Sequence, residues 1–307
     1  MATESEGEGE TTPSRRLFDA ARDGDLAALD ALLSDATADE LHEGHRFNFG
    51  GSPDLLTVTP LFAAAWGGHE ACCRRLIAAG ADCDRGCSEG TPLMAAAASK
   101  RDCVSCAAAL LEAGADVNHE VRHTDDNGYL NVCRAIHVVT NCGCSAAFVR
   151  LLIFHGANLD TPATHGGTEE TSLFNVCEGS YPSEMANDAD ARRQFKAQKH
   201  SVVFILLRAG ADCGHLFEER PHLATEERPH PCYESRPLAT RFATDRQRKY
   251  FETIHAVGGF AAYAQARQCQ LLTIKLFARG NGRLNLPEAL ILTIVSYWDK
   301  PWVLGPL

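Results

Sequence analysis

The feature that most limits what this chain can fold into is a Gly-Ala pair that recurs behind a leucine-rich run. It closes the segments Arg74–Asp84 (RRLIAAGADCD), Ala109–Asn118 (ALLEAGADVN), Arg150–Asp160 (RLLIFHGANLD) and Ile205–Cys213 (ILLRAGADC). The four glycines, Gly80, Gly114, Gly156 and Gly210, are spaced by 34, 42 and 54 residues. That sets a unit of about 33 residues with insertions. A period in this range marks a stacked array, because each unit is one small supersecondary piece that hides its apolar side only against a neighbour.

A second pattern lies upstream of each pair. Thr59-Pro60-Leu61-Phe62-Ala63-Ala64-Ala65 opens one unit and Thr91-Pro92-Leu93-Met94-Ala95-Ala96 the next. Arg134-Ala135-Ile136-His137-Val138-Val139 and Thr171-Ser172-Leu173-Phe174-Asn175-Val176 open two more. Opener and glycine are 21 to 23 residues apart in the first three, and 39 apart in the fourth, where Glu178–Phe195 is inserted. Threonine can cap a helix by accepting from an orphan N–H, and proline at the first helical position gives up a donor that had no partner. The Ala64-Ala65 pair lets helices approach closely. Gly67-Gly68 can break the first helix, and Gly80 can take the left-handed conformation that ends the second. Leu76-Ile77 and Leu110-Leu111 read as buried against the next unit, and Asp82 and Asp116 as the start of an outward turn.

These residues resemble the ankyrin repeat, over roughly Leu17 to Gly259, with Gly68-His69 and Ala113–Asn118 (AGADVN) close to its consensus. The resemblance implies an all-α solenoid of paired antiparallel helices, five or six irregular repeats with a helical C-terminal cap. It also implies a concave face lined by turn tips and first helices. The expected organisation is an acidic disordered tail at 1–14 and an array at 15–259, with units near 15–51, 55–87, 88–128, 129–167, 168–214 and 234–259. A C-terminal helical cap or box follows at 260–307. The first unit, from Leu17, reads as a terminal capping repeat that lacks Thr-Pro. A terminal unit is expected to be atypical, because one of its faces meets water. In the last unit Arg246–Val257 reads as the second helix. His215–Ser235, with its repeated EERPH, reads as a loop.

Composition narrows the function classes. Lys plus Arg is 29 and Asp plus Glu is 40, a net charge of −11. That argues against nucleic acid and anionic membrane as partners, since both need excess cation, and favours a protein partner with a basic surface. No apolar run approaches a membrane span. The start, MATESEGEGETTPS, has no apolar core of a secretory signal. Thirteen cysteines, an odd number, sit in apolar stretches such as Cys72-Cys73. They read as reduced core thiols of a cytoplasmic or nuclear protein.

Catalytic motifs are missing from the pattern. There is no Gly-x-Ser-x-Gly elbow, no phosphate loop and no dinucleotide fingerprint. Cys213, His215, His222, His230 and Cys232 fall within twenty residues, and His119, His123, Cys133, His137, Cys142 and Cys144 form a looser group. Neither shows the paired ligand spacing that zinc requires. The expectation is no catalytic residue, no metal and no cofactor.

What remains is a binding surface. Aligned on the openers, the positions after Ala-Ala that packing does not consume include Arg22, Asp23, Trp66, Ser99, Asn141 and Glu178. The turn tips add Val58, Arg122 and His123, and also Leu55 and Leu56, which are either exposed or buried under the Glu40–Ser52 loop. Trp66 is the anchor type that dominates interfaces, or it packs on Phe62. The insert Tyr181–Phe195 is a disordered bulge or a partner-specific finger. Near the C-terminus Leu286, Pro287, Glu288, Ile294, Tyr297 and Trp298 resemble the short helical boxes, F-box-like or SOCS-box-like, that end some ankyrin proteins and recruit ubiquitin-ligase scaffolds. The plainer reading of the same helix, and the preferred one, is a cap that covers the apolar face of the last repeat.

Overall fold

Short apolar helices bounded by Thr-Pro on one side and glycine on the other dictate the architecture. A computed structural model describes residues 12–47, 56–87, 90–99, 101, 103–124, 130–142, 145–165, 168–178, 189–212, 252–260 and 262–265. The first elements are α1 (Pro13–Asp23), α2 (Leu26–Leu33), α3 (Ala38–His42), β1 (His45–Phe47) and β2 (Leu56–Val58). Then come α4 (Pro60–Gly67), α5 (Glu70–Ala78), α6 (Pro92–Ala98), α7 (Val104–Glu112), β3 (Val121–Thr124) and β4 (Leu130–Cys133). They are followed by α8 (Ala135–Cys142), α9 (Ala146–Phe154), β5 (Ala163–His165), β6 (Thr168–Glu170), α10 (Ser172–Glu178) and α11 (Ala189–Arg208). By compactness the chain divides into Met1–Ile205 and Leu206–Leu307.

In the first unit the helices form two parallel files. The first helices pack in the order α1, α4, α6, α8, α10, and the second helices in the order α2, α5, α7, α9. Thr12, Thr59 and Thr91 cap α1, α4 and α6, each hydroxyl accepting from an amide three residues on, with Pro13, Pro60 and Pro92 next in line. Thr171 caps α10 in the same way, accepting from the Phe174 amide at 3.3 Å. Leu61, Leu93, Ile136 and Leu173, at the same place in successive first helices, are buried. So are Leu29, Leu76, Leu110 and Leu152 in the second helices. Burial of this repeated pair is the hydrophobic term that holds neighbours together.

The second helices end alike. Gly80, Gly114 and Gly156 have φ of 97°, 98° and 84°, a region glycine enters without steric cost. The next amide then turns back: Ala81 donates to Leu76, Ala115 to Leu110 and Ala157 to Leu152, at 2.9 to 3.1 Å. This closes the orphan carbonyls at the helix end.

Beyond each glycine, aspartate and asparagine side chains stitch repeat to repeat. Within a turn, Asp82, Asp116 and Asn158 accept from the amides of Asp84, Asn118 and Asp160. Between turns, the Asp84 carboxylate accepts from the Asp116 amide with both oxygens, at 3.0 and 3.2 Å. Asn118 accepts from the Asn158 amide at 2.8 Å and donates to the Gly156 carbonyl at 3.1 Å. At the first junction His42 plays this part, its Nε2 accepting from the Asp82 amide at 3.0 Å. Asp84→Ala is expected to lower stability by about 1 kcal/mol, the worth of an exposed charge-assisted bond. Urea unfolding checks this, and an unchanged midpoint would show that water replaces the carboxylate at no cost.

The architecture is not purely helical. The turns between repeats hold short strands: β1 pairs with β2, and β3, β4, β5 and β6 form one antiparallel sheet. The link within that sheet is Val132 opposite Thr164, which joins two neighbouring hairpins. At three or four residues each, the strands carry too little alternation to stand out from loop sequence.

Three further sequence expectations are corrected. The first helix does carry Thr-Pro, at Thr12-Pro13, so residues 13–14 belong to α1 rather than to the tail, and Ser14 is buried. The insert is not a bulge up to Phe195: α11 begins at Ala189, and Phe195 is buried at 4% exposure. Val58 is not a tip contact, as the surface geometry below shows. Residues 1–11, Leu55 and 179–188 lie outside the described residues, as do His215–Ser235 and the whole C-terminal box from Leu286 to Trp298.

In the second unit, α11 ends through Gly210 at φ 98°, with Ala211 donating to Leu206 at 3.0 Å. Residues 252–256 are helical around the buried Ile254, and Gly259 donates to the Ile254 carbonyl at 2.9 Å.

Candidate protein-binding surface

The ends of the first helices and the hairpins carry the residues singled out by sequence. Trp66 lies in the last turn of α4, which Gly68 terminates at φ 76°. Its half-buried ring packs, with Leu56 and Cys87, against Phe18, Val58, Phe62, Ala63 and Ala95. Packing and partial exposure thus hold together at this residue. Val58 itself is 0% exposed. It points inward because strand β2 alternates, with Thr57 outward and Val58 toward α1 and α4.

The backbone under Trp66 is clamped by the next repeat. Ser99 Oγ donates to the Trp66 carbonyl at 2.8 Å, and Arg101 Nη1 donates to the Gly67 carbonyl at 2.8 Å. The Arg101 amide in turn donates to Ser99 Oγ at 3.2 Å. On the other side the His69 ring lies directly against Gly24 and Gly67, where any Cβ would collide with it. Arg101 and His69 were not picked out from sequence. The signal for His69 was present in Gly68-His69, whereas nothing in the pattern marks Arg101.

Arg22 and Asp23 form a closed pair. Arg22 Nε and Nη2 donate to the two Asp23 oxygens at 2.7 and 2.9 Å, and Nη1 donates to Asp19 at 2.8 Å. The Arg22 hydrogen bond holds the Asp23 carboxyl below the usual carboxylate range, and the same bond raises Arg22. Asn141 is exposed in the last turn of α8. Glu178 is the final residue of α10, and its side chain lies outside the described set.

Farther along, Arg122 is exposed on β3 and donates through Nε to Glu120 at 2.6 Å. Arg134 reaches the same carboxylate. Arg122 first, then Arg134, keep the Glu120 carboxyl ionised below its ordinary range. His123 is half-buried on the same strand, and its Nδ1 has no hydrogen-bond partner among the described residues. Three exposed apolar residues among those described were not marked by sequence reasoning: Leu130 on β4, Phe154 on α9, the latter 84% exposed, and Val257. Among the described residues no group of three or more His, Cys, Asp and Glu is gathered to hold a metal ion. No described helix is long and apolar enough to cross a membrane.

Two files of helices joined by hairpins, with glycine exits in register, define a helical-repeat array. Residues 17–121 match the family model for ankyrin repeats, in three copies. Residues 17–121 therefore carry ankyrin repeats. No curated protein matches it. Ankyrin repeats are generally protein–protein interaction modules, and the family is typically non-catalytic.

Proposed function

We propose that this chain is a non-catalytic scaffold of the cytoplasm or nucleus. It seats a partner protein on the concave face formed by its first-helix ends and hairpins. The observation that carries the reading is Trp66: a large, half-exposed aromatic on a backbone immobilised by Ser99 and Arg101. A rigid aromatic anchor loses little conformational entropy when it is covered. Arg22, Asp23, Asn141 and Arg122, on other repeats of the array, add polar contacts, and the net charge of −11 favours a partner with a basic surface.

The test is quantitative affinity capture with wild type and Trp66→Ala. Specific partners are expected to bind about 30-fold more weakly to the variant, the effect of losing about 2 kcal/mol at an anchor. Far-UV circular dichroism should be unchanged. An identical set of partners at identical affinity would refute the assignment of this face.

A further inference from the structure

The antiparallel sheet of hairpins ends on an open edge at β3. Its strand order is β3, β4, β5, β6, and among the described residues β3 pairs with β4 alone. The turn of the preceding repeat adds no strand beside it: the described residues there hold an isolated bridge between Cys87 and Gly90. The register shows which backbone groups of β3 look outward. The Leu130 carbonyl accepts from Thr164 Oγ1 at 3.0 Å, so it faces β5. Val132, two residues on and opposite Thr164, faces the same way. Asn131 and Cys133 therefore turn their backbone groups to β3, onto His123 and Val121. Alternation leaves Arg122 and Thr124 with N–H and C=O directed at the open side. Both residues are exposed, whereas Val121 and His123 are half-buried.

We propose that this edge takes an extended segment of a partner protein as an added strand, and that the segment carries lysine or arginine. The proposal rests on the reading of the chain as a partner-binding scaffold and names the element that would be recognised. Outward N–H and C=O groups two residues apart are matched only by another extended backbone. Charge selects the source of that backbone. The Arg122 guanidinium is engaged by Glu120, so it is not free to hold an acid. In the sequence Asp125-Asp126 follow Thr124 directly, and the whole chain carries a net charge of −11. A second copy of the chain would bring the same excess of acid to the edge. A segment with lysine or arginine meets opposite charge instead.

The test uses the full-length chain and a labelled peptide of alternating lysine and valine, about six residues long, the usual length of a strand. Amide hydrogen exchange is read first, by NMR, without the peptide. Val121 and His123, bonded to β4, should exchange at least about tenfold more slowly than Arg122 and Thr124. Adding the peptide should slow Arg122 and Thr124. Slow exchange of these two in the free chain would overturn the proposal. The edge would then be covered by another segment, such as 1–11 or 266–307, or by a second copy if the slowing grows with concentration. Thr124→Pro removes one outward N–H and leaves the bonds between β3 and β4 in place. It should weaken the peptide about tenfold, the loss of one hydrogen bond, and Thr124→Ala should not. Equal affinity of the two variants would refute strand addition, as would absence of binding or equal binding of a glutamate–valine peptide. The lysine–valine peptide with every amide N-methylated should fail to bind wild type, a readout that depends on no variant's folding. Trp66→Ala should leave the peptide's affinity unchanged, so failure at this edge and failure of the Trp66 face are read separately.

Discussion

Leu110→Ala is expected to remove about 2–5 kcal/mol of stability. Leu110 is 0% exposed on α7, the second helix that packs between α5 and α9. Its side chain therefore faces a junction on each side rather than one core. Truncation loses the transfer energy of the removed carbons and leaves a cavity, and neighbours held by the glycine exits and Asx stitches have little room to collapse into it. Stability in a stacked array is a sum of unit and nearest-neighbour terms. A defect in the middle repeat weakens two interfaces, so urea unfolding should show a lower midpoint or a split transition. Glu112→Ala, exposed on the same helix, serves as the control and should stay within about 0.5 kcal/mol. Equal midpoints for the two variants would mean that α7 is not a structural centre of the array.

Acid should selectively weaken the fourth repeat through His137. This residue is 2% exposed on α8. Its Nδ1 accepts from the Arg134 amide at 3.2 Å, and its Nε2 lies 2.9 Å from the Thr161 carbonyl, to which it donates. Those roles require the neutral ring with its proton on Nε2. Burial, chiefly, pushes its pKa down from 6.5 to about 4, with Arg134 adding to the shift and the Thr161 bond opposing it. The unfolded chain therefore binds the extra proton first as pH falls. The contribution is whole above pH 6.5 and drains away as pH drops toward 4, a loss of roughly 3 kcal/mol. Glutamine keeps an amide donor for Thr161 and an acceptor for Arg134 but does not titrate. The difference in unfolding free energy between wild type and His137→Gln should change by that amount across the window. A flat difference would show that the imidazole takes up its proton equally in the folded and unfolded chain, and would overturn this account.

Much of the repeat frame is legible in the chain because its determinants are local. Thr59-Pro60 and Thr91-Pro92 start helices through their own hydroxyl and ring, and Gly80, Gly114 and Gly156 end them through their own backbone freedom. Thr12-Pro13 was passed over because it stands farther from Ala20-Ala21 than Thr59 does from Ala64-Ala65, which makes α1 the longer helix. The hairpins were invisible for a different reason: their sheet depends on cross-repeat pairing, which no single segment encodes. Val58 was misplaced because one step along a strand reverses the face, and the register of so short a strand is set by Phe18 and Phe62 beneath it. The surface was half legible. Trp66 stands out by type, whereas the clamp from Ser99 and Arg101 depends on a carbonyl two repeat elements away.

The pairing of Val132 with Thr164 has a mechanical consequence. Thr164 Oγ1 also donates to the Leu130 carbonyl at 3.0 Å, so two successive hairpins behave as a single blade. A load on β3 is thereby shared with β5 and β6 through backbone pairing and one side-chain bond. The shape of this edge is set over a span of two repeats at once, not one loop at a time.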